Sequence, residues 1–261
     1  MENENILEVT SLSKNFGGLA AVSNINMQIK PGELIGLIGP NGAGKTTFFN
    51  LLTGVYEPSE GLIELTVDGR KKQIGGLKPY KITELGLART FQNIRLFKGM
   101  TVLENVKLAM HKNAGYGTIS ALIRNGKFYN SERWIEEKAN EYLQEVGLYR
   151  KRNELATNLP YGEQRRLEIA RALATDPVIL FLDEPAAGMN PQETADLTKL
   201  IRHLRDKYNL TIVLIEHDMS QVMNLCERIF VLNYGQMIAS GTPEEIKNNE
   251  FVINAYLGEE I

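Results

Sequence analysis

The chain has 261 residues, of which 43% are hydrophobic and 23% are charged, a composition typical of a globular protein with one large domain or two lobes. Its net charge of -3 lacks the basic character of most nucleic-acid-binding proteins, so we expect no nucleic-acid partner. The acidic start differs from a signal peptide, and no apolar run reaches the roughly 18 residues of a membrane-spanning helix. We therefore expect a cytosolic chain that meets a membrane only through partner proteins.

The N-terminal part of the chain predicts short strands around one helix. Alternating apolar positions and short buried runs predict strands at Ile6–Leu12, Asn24–Ile29, Leu34–Ile38, Leu62–Val67 and Arg70–Ile74. A glycine-rich loop follows the third strand and leads into a helix predicted from Lys45 to Thr53. The turn Asp68-Gly69 separates the last two strands.

The middle of the chain, from about residue 85 to residue 166, is mainly helical in its pattern. Val102–Met110 and Ser131–Val146 both carry apolar residues at i, i+3 and i+4, which predicts two amphipathic helices. The intervening segment 111–130 contains glycines at 115, 117 and 126 and is interpreted as a loosely ordered insertion.

Strands and helices alternate in the C-terminal part. The predicted helices are Glu163–Ala174, Gln192–Lys207 and Met219–Cys226, and the predicted strands are Val178–Leu182, Leu210–Ile215 and Ile229–Leu232. Such alternation predicts a parallel sheet covered by helices. Thr242-Pro243-Glu244-Glu245 predicts a capping box at the start of a tail helix, and a last helix is predicted around Phe251–Leu257. Cys226 is the only cysteine and is expected to be a small buried hydrophobic residue.

Residues 39–46, Gly-Pro-Asn-Gly-Ala-Gly-Lys-Thr, match the phosphate-binding pattern G-x-x-x-x-G-K-[ST] between a predicted strand and a predicted helix. The glycines let backbone N–H groups point at phosphate oxygens, and the helix N-terminus adds partial positive charge. Lys45 supplies a charge for the β- and γ-phosphates, and Thr46 supplies a hydroxyl ligand for Mg²⁺. The pattern predicts a site for ATP and Mg²⁺ formed by Gly39, Pro40, Asn41, Gly42, Ala43, Gly44, Lys45, Thr46 and Thr47.

Two acidic residues, Asp183 and Glu184, end the apolar strand predicted at Val178–Leu182. Neighbouring side chains at a strand end point in opposite directions. We therefore expect Asp183 to hold Mg²⁺ through its water shell and Glu184 to face the attacking water as the catalytic base.

Further residues occupy positions that resemble those of ABC transporter ATPases. Gln92, in Arg-Thr-Phe-Gln-Asn, resembles the Q-loop glutamine, which in that family reaches Mg²⁺ and the attacking water. His217 ends a predicted strand and resembles the switch histidine that contacts the γ-phosphate. Phe16 resembles the aromatic residue that stacks on adenine, with a core phenylalanine as the alternative. His111 and His203 have no such placement and are predicted to lie on the surface.

The segment Leu159-Pro160-Tyr161-Gly162-Glu163 resembles the family's signature, usually Leu-Ser-Gly-Gly-Gln. In that family the signature contacts the γ-phosphate bound to the opposite subunit, through a hydroxyl, backbone N–H groups and a helix N-terminus. Here Pro160 replaces the serine and has neither a hydroxyl nor an N–H, although proline suits the first turn of a helix. Tyr161 replaces a glycine and Glu163 replaces the glutamine. We expect the helix to start normally and the cross-subunit contact to lose its serine donor.

The resemblance extends over nearly the whole chain and is strongest to the ATP-binding subunit of bacterial branched-chain amino acid importers. It is carried by residues 16–22, 88–92, 159–162, 185–194 and 241–245. Within these, 187–191 resembles the D-loop, with Asn190 where aspartate is commoner. The resemblance implies uptake of leucine, isoleucine and valine at the cytoplasmic face of the plasma membrane. It also implies permease partners, a second ABC ATPase subunit and, indirectly, an extracytoplasmic substrate-binding protein.

The same resemblance implies an α/β fold of the P-loop NTPase (ABC ATPase) type. It consists of a mainly parallel core sheet, an antiparallel β subdomain and an inserted α-helical subdomain. The expected divisions are 1–88, the N-terminal part of the ATP-binding core with the antiparallel β subdomain; 89–166, the Q-loop and helical subdomain ending in the signature; 167–241, the rest of the core; and 242–261, a helical tail.

Three alternative functions remain at this point. One is an ABC exporter ATPase of the lipopolysaccharide-extraction type. Another is a weakly hydrolysing regulatory subunit, suggested by Pro160 and Tyr161. A third, a soluble ABC protein of translation or DNA repair, is disfavoured because the chain has one cassette and no coiled-coil insertion. Hydrolysis is favoured over a purely regulatory role by the presence of Lys45, Thr46, Gln92, Asp183, Glu184 and His217. A homodimer and a heterodimer both remain open.

Overall fold

A computed structural model describes residues 5–111, 115 and 125–257, so most of the predicted insertion at 111–130 lies outside the described residues. The chain divides into two compact units. The first unit takes its described residues from Met1–Arg89, Val178–Glu184 and Ile201–Ile261. The second unit takes them from Thr90–Pro177 and Pro185–Leu200.

The strands all belong to the first unit. They are β1 (Leu7–Phe16), β2 (Leu19–Ile29), β3 (Leu34–Ile38), β4 (Glu60–Val67), β5 (Arg70–Gln73), β6 (Leu87–Arg89), β7 (Ile179–Asp183), β8 (Thr211–Ile215), β9 (Arg228–Asn233) and β10 (Gln236–Gly241). The helices are α1 (Lys45–Leu52), α2 (Pro79–Glu84), α3 (Val102–Met110), α4 (Gly126–Glu145), α5 (Tyr161–Leu173), α6 (Pro191–Tyr208), α7 (Met219–Leu225), α8 (Pro243–Lys247) and α9 (Glu250–Leu257). Among these, none is long and apolar enough to span a bilayer.

The first unit contains two sheets. One is antiparallel with the order β2-β1-β4-β5, and the other has the order β10-β9-β3-β8-β7-β6. In the second sheet β6, β7, β8, β3 and β9 run parallel, and only β10 is antiparallel. Since the carboxyl ends of parallel strands meet at one edge, the residues that follow β3, β7 and β8 lie at the same edge of the sheet.

The core of the first unit lies between the sheets and helix α1. Every residue of β3, β7 and β8 is buried, as expected for central strands of a parallel sheet covered on both faces. Phe49 of α1 packs edge-on against Phe181 of β7, with ring centroids 5.0 Å apart. This packing fixes α1, and with it the loop that precedes α1, against the strand that ends in Asp183.

The second unit is helical. Helices α3, α4 and α5 pack around a shared apolar core that includes Val106, Ile135, Leu143, Leu167 and Ala170. Helix α3 begins at a capping box in which Thr101 and Glu104 bond each other's backbone N–H groups. The apolar spacing predicted α3 at its observed bounds, whereas α4 begins five residues before the predicted Ser131. Residues 126–130 are therefore helical, and their interpretation as part of a loosely ordered insertion is wrong.

The elements predicted from the sequence are present, with shifts at their ends. Strand β2 begins five residues earlier than predicted, and β1 continues to Phe16. Helix α2 and strands β6 and β10 were not predicted. The capping box at Thr242 and Glu245 is confirmed.

Candidate nucleotide site

The loop 39–44 joins β3 to α1 and approaches other backbone segments closely. At Gly39, with φ +150°, a Cβ atom would lie 2.0 Å from the carbonyl oxygen of Leu232. At Gly44, with φ +98°, it would lie 2.6 Å from the carbonyl oxygen of Ala21. Both positions therefore require glycine, and the loop wraps tightly before the N-terminus of α1. The backbone N–H groups of the loop and the N-terminus of α1 therefore lie together, an arrangement that suits the binding of a phosphate group.

Lys45 is buried, with 8% of the residue exposed, at the first position of α1. Its ammonium Nζ donates hydrogen bonds to the carbonyl oxygens of Gly39, at 2.5 Å, and Pro40, at 2.8 Å. The cation is thus held inside the curve of the loop. It can contact phosphate oxygens by exchanging these carbonyl acceptors for them.

A cavity of about 580 Å³ opens beside this loop and joins most of the predicted site residues of the first unit. It is lined by Phe16, Leu19, Ala20, Ala21, Asn41, Gly42, Ala43, Gly44, Lys45, Thr46, Thr47, Glu184, His217, Tyr234 and Gly235. Its size suits a small-molecule ligand. The aromatic and aliphatic side chains that line it suit a nucleobase, whereas the loop suits its phosphates.

Phe16 is not a core residue, because 43% of it is exposed. Its ring meets the ring of Tyr56 edge-on, with centroids 5.2 Å apart, and the Nζ of Lys14 lies 5.1 Å from its centroid. These contacts hold the ring at the cavity, so the alternative interpretation as a core phenylalanine is wrong.

Asp183 and Glu184 follow each other at the end of β7 but have different partners. Asp183 is buried, and its Oδ2 accepts a hydrogen bond from Nη2 of Arg89 at 2.8 Å. Glu184 has a φ of +46° and donates its backbone N–H to the carbonyl oxygen of Ile215 at 3.0 Å. A left-handed conformation is unusual for a glutamate and is common at functional sites.

Glu184 lines the cavity together with His217. The imidazole Nε2 of His217 lies 3.1 Å from Oε2 of Glu184. The side chain of Glu184 is 11% exposed and that of His217 is 55% exposed. The carboxylate is therefore shielded from bulk solvent on most sides and held by a group that reaches into the cavity.

Gln92 and the signature segment belong to the second unit. Gln92 is exposed, and its backbone carbonyl accepts a hydrogen bond from Nη2 of Arg165 at 2.7 Å. Arg165, on α5, also donates Nη1 to the carbonyl oxygen of Phe91 at 2.5 Å and pairs with Glu168 at 2.7 Å. Glu168 Oε1 in turn accepts the backbone N–H groups of Phe91 and Arg95 at 3.3 Å each. This buried pair clamps the backbone around Gln92, the segment that resembles a Q-loop, to helix α5.

The sequence alone did not identify that clamp. Arg165 is fully buried and Glu168 is 2% exposed, although charged residues on a helix are usually solvated. Burial raises the pKa of the Glu168 carboxyl, against the opposing effects of Arg165 and of the backbone N–H groups of Arg95 and Phe91. The sequence offers one signal for the clamp. Arg165 and Glu168 are three residues apart, so they share a helix face, and the apolar residues Leu167 and Ile169 flank Glu168 in the sequence.

The signature segment begins α5 in a way that differs from the expectation. Pro160 is the N-cap residue, with φ −55° and ψ 156°, and not a residue of the first turn, which starts at Tyr161. The helix start is preserved because the carbonyl of Pro160 accepts the backbone N–H of Gln164 at 2.9 Å, which is the first bond of the helix. Glu163 is paired with Nζ of Lys151 at 2.7 Å.

The segment that resembles a D-loop lies beside the signature in the second unit. Asn190 accepts the backbone N–H of Glu193 at 3.0 Å, and Glu193 accepts that of Asn190 at 2.9 Å. This reciprocal pair caps the start of α6, so asparagine serves as the N-cap as well as aspartate would. The ring of Tyr161 lies against Gly188.

Comparison with known proteins agrees with this geometry. The family model described as ABC transporter matches residues 22–187, and a model described as branched-chain amino acid ATP-binding cassette transporter matches residues 236–261. The chain belongs to the ABC transporter family. It is an ATPase of the α/β P-loop NTPase fold that binds nucleotide and couples hydrolysis to transport.

Relatives of full length refine the comparison. The high-affinity branched-chain amino acid transport ATP-binding protein LivG of Escherichia coli is 50% identical over 97% of this chain and 98% of its own length. BraF of Pseudomonas aeruginosa, of the same description, is 51% identical over the same shares. The lipopolysaccharide export system ATP-binding protein LptB of Haemophilus influenzae is 34% identical over 98% of both chains. A solved ABC transporter ATP-binding cassette in its ADP conformation superposes with a TM-score of 0.81 at 30% identity, covering 98% of this chain and 99% of that one.

Proposed function

We propose that this ABC ATPase powers an importer of branched-chain amino acids, with ATP hydrolysis coupled to the uptake of leucine, isoleucine and valine through membrane permeases. The hydrolytic part rests on one observation, the joining of Lys45, Glu184 and His217 in a single cavity beside the phosphate loop. The transported substrate rests on likeness to LivG and BraF, which is closer than the likeness to LptB.

The phosphate loop would bind the β- and γ-phosphates of ATP. Backbone N–H groups of residues 41–46 supply donors, the N-terminus of α1 supplies partial positive charge, and Lys45 supplies a full charge. Phe16 would stack on the adenine at the other end of the cavity. Thr47 and Asn41 complete the lining around the phosphates.

Magnesium fits the residues present. The described residues contain no group of three or more histidine, cysteine, aspartate or glutamate side chains that could hold a metal alone. Mg²⁺ bound with a nucleotide requires only one or two protein groups, because phosphates and water complete its coordination. Thr46 and Asp183 would be these groups. When bound, Mg²⁺ neutralises charge that develops on the phosphates.

Glu184 is the residue that we assign as the catalytic base. Its carboxylate is the acidic group that lines the cavity, and it would accept a proton from a water molecule beside the γ-phosphate. Without nucleotide, Nε2 of His217 would hold Glu184 through the Nε2–Oε2 contact; with ATP bound, the same N–H would donate to a γ-phosphate oxygen instead. Lys45 would stabilise the charge on the transferring phosphoryl group.

The signature, Leu159–Glu163, would face nucleotide bound to a second ABC ATPase. Pro160 offers that nucleotide neither a hydroxyl nor an N–H, and Glu163 is already paired with Lys151. The N-terminus of α5 and the N–H groups of Tyr161 and Gly162 remain as donors. We infer an asymmetric dimer, in which this chain hydrolyses ATP on its own phosphate loop and a different ABC ATPase supplies the stronger signature.

The proposed assembly would lie at the cytoplasmic face of the plasma membrane. Two permeases would form the pathway, and an extracytoplasmic binding protein would deliver the amino acid without contacting this chain. The regulatory alternative is weakened by the retention of Lys45, Glu184 and His217 in one cavity. Among the alternatives, the export of lipopolysaccharide is weakened by the lower identity to LptB.

Affinity purification from the native cell would test this proposal. The chain would be tagged, membranes solubilised gently, and co-purifying proteins identified by mass spectrometry. A matched variant with Lys45→Ala would show whether assembly requires nucleotide. We expect two permeases and a second, different ABC ATPase. A lipid-exporting partner, or purification without any membrane protein, would contradict the importer assignment and leave the ATPase unaffected. Phosphate release by the lone chain and by the mixed complex would test the asymmetric dimer.

A further inference from the structure

Arg89 has a position that the ATPase chemistry described above does not use. It is the last residue of β6 and the last residue of the first unit before the chain enters the second. Its side chain is 8% exposed, and the Asp183 side chain that it contacts is 4% exposed. Burial of a charged pair to this extent is costly unless the geometry is good and the remaining donors are satisfied.

The guanidinium of Arg89 joins two elements of the first unit. Its Nη2 donates to Oδ2 of Asp183 at 2.8 Å, at the end of β7. Its Nη1 donates to Oδ1 of Asn50 at 2.7 Å and to Oγ1 of Thr53 at 2.8 Å. Asn50 belongs to the last turn of α1, and Thr53 is its C-cap residue. One planar group therefore holds the end of β7 against the end of α1.

These two elements carry the two proposed magnesium-facing groups. Helix α1 has Lys45 and Thr46 at its beginning, and β7 ends in Asp183. A helix of this length is a rigid body, so fixing its last turn relative to Asp183 also fixes Thr46 relative to Asp183. We propose that Arg89 is a positioning residue for magnesium, which sets Asp183 at the correct place relative to Thr46.

The proposal rests on the proposed nucleotide site and adds a residue to it. Arg89 holds the Asp183 carboxylate through Oδ2 and would thereby set the direction in which that carboxylate faces the water shell of the metal. Lysine cannot replace it fully, because an ammonium is a point charge and does not present a planar fork to three acceptors. An ion pair with a purely structural role would contribute to stability. Its loss would not weaken magnesium binding more than nucleotide binding.

The test measures nucleotide binding with and without magnesium, in the full chain, with a fluorescent ATP analogue. In EDTA we expect Arg89→Met to bind the analogue as the wild type does, because the phosphate loop is intact. In a magnesium titration we expect the half-saturating concentration to rise about tenfold, as is typical for loss of an outer-shell partner of a metal ligand. Arg89→Lys should recover only part of this loss. Arg70→Met, on the exposed strand β5, is the matched control and should behave as the wild type.

Two further variants keep the proposal testable if Arg89→Met fails to fold. Asn50→Ala removes one acceptor of Arg89 without altering charge, and it should raise the half-saturating magnesium concentration by a smaller factor. In a chain that already carries Asp183→Asn, adding Arg89→Lys should not change the half-saturating magnesium concentration further. Unchanged magnesium dependence in Arg89→Met, or in Asn50→Ala where that variant replaces it, would overturn the positioning role and leave the proposed function standing. Failure of the wild type to bind nucleotide would instead overturn the proposed function.

Discussion

The Nε2 of His217 lies 3.1 Å from Oε2 of Glu184, although the two residues follow different strands, β8 and β7. The contact exists because β7 and β8 are parallel neighbours, with Asp183 opposite Ile215 in the register. Both side chains project from the same sheet edge toward the phosphate loop at the end of β3. Glu184, which we propose as the base, and His217 can therefore act as one unit, and the effects of substituting them should not be independent.

Glu184→Gln should abolish turnover while ATP binding is retained. The amide keeps the shape of the side chain but cannot accept a proton from water, so phosphate release should fall by roughly 10²–10⁴-fold. Binding of a fluorescent ATP analogue should stay at the wild-type level. Glu60→Gln, at the exposed start of β4, is the control. Wild-type phosphate release by Glu184→Gln would show that another group is the base.

His217→Ala should lower kcat with little change in KM. The expected loss is on the order of 10²-fold, because a donor to the transferring phosphoryl group and the support of Glu184 are both removed. Combined with Glu184→Gln it should add little. His203→Ala, an exposed histidine of α6, serves as the control. If the fold-losses in kcat of the two single variants multiply in the double variant, the residues act independently and the paired role is incorrect.

Glu168→Ala should loosen the Q-loop. The substitution removes the acceptor of the Phe91 and Arg95 N–H groups and leaves Arg165 buried without its counter-ion, which costs roughly 3–5 kcal/mol. Hydrogen exchange should accelerate at those two amides, and thermal unfolding should move to lower temperature. Glu141→Ala, an exposed glutamate of α4, should change neither. Retained protection at Phe91 and Arg95 would exclude the clamp.

Cys226 should be inert in the folded chain. Burial, with smaller contributions from Glu227 and Glu216, raises the pKa of its thiol from 9.0 to about 12. The nucleophilic thiolate is therefore scarce at pH 8, and DTNB should label the folded chain slowly and the urea-unfolded chain completely.

The same shift makes stability depend on pH. Since the folded thiol holds its proton where the unfolded thiol has lost it, this contribution to stability is complete below pH 9 and is lost as the pH rises toward 12. Cys226→Ala should flatten the decrease in unfolding free energy over that window. Rapid labelling of the native chain at pH 8 would contradict both expectations.

Features that depend on contiguous residues could be predicted from the sequence. The phosphate loop is one, because residues 39–46 specify both the turn and the helix start. The pair Asp183 and Glu184 is another, because a buried strand and its end are visible in the apolar run before them. The amphipathic helices α3 and α4 were predicted for the same reason.

Features that depend on distant contacts were missed. Arg89 and Asp183 are 94 positions apart, and nothing local shows that they share a buried hydrogen bond. From the sequence, Arg165 and Glu168 resemble an ordinary solvated ion pair on a helix. They are buried because the backbone of residues 91–95, 73 to 77 positions earlier, packs on them. Strand β10 was missed because its mixed polar and apolar residues become a strand only through pairing with β9.

The most direct test of the account is uptake of labelled leucine, isoleucine and valine by the native cell. Cells without this chain would be complemented either with the wild type or with Glu184→Gln, each shown to reach the membrane assembly. We predict that the wild type restores energy-dependent uptake of these amino acids and that Glu184→Gln does not. Restoration by Glu184→Gln would contradict hydrolysis at this site as the energy source. Unchanged uptake in cells without the chain would contradict the proposed substrate.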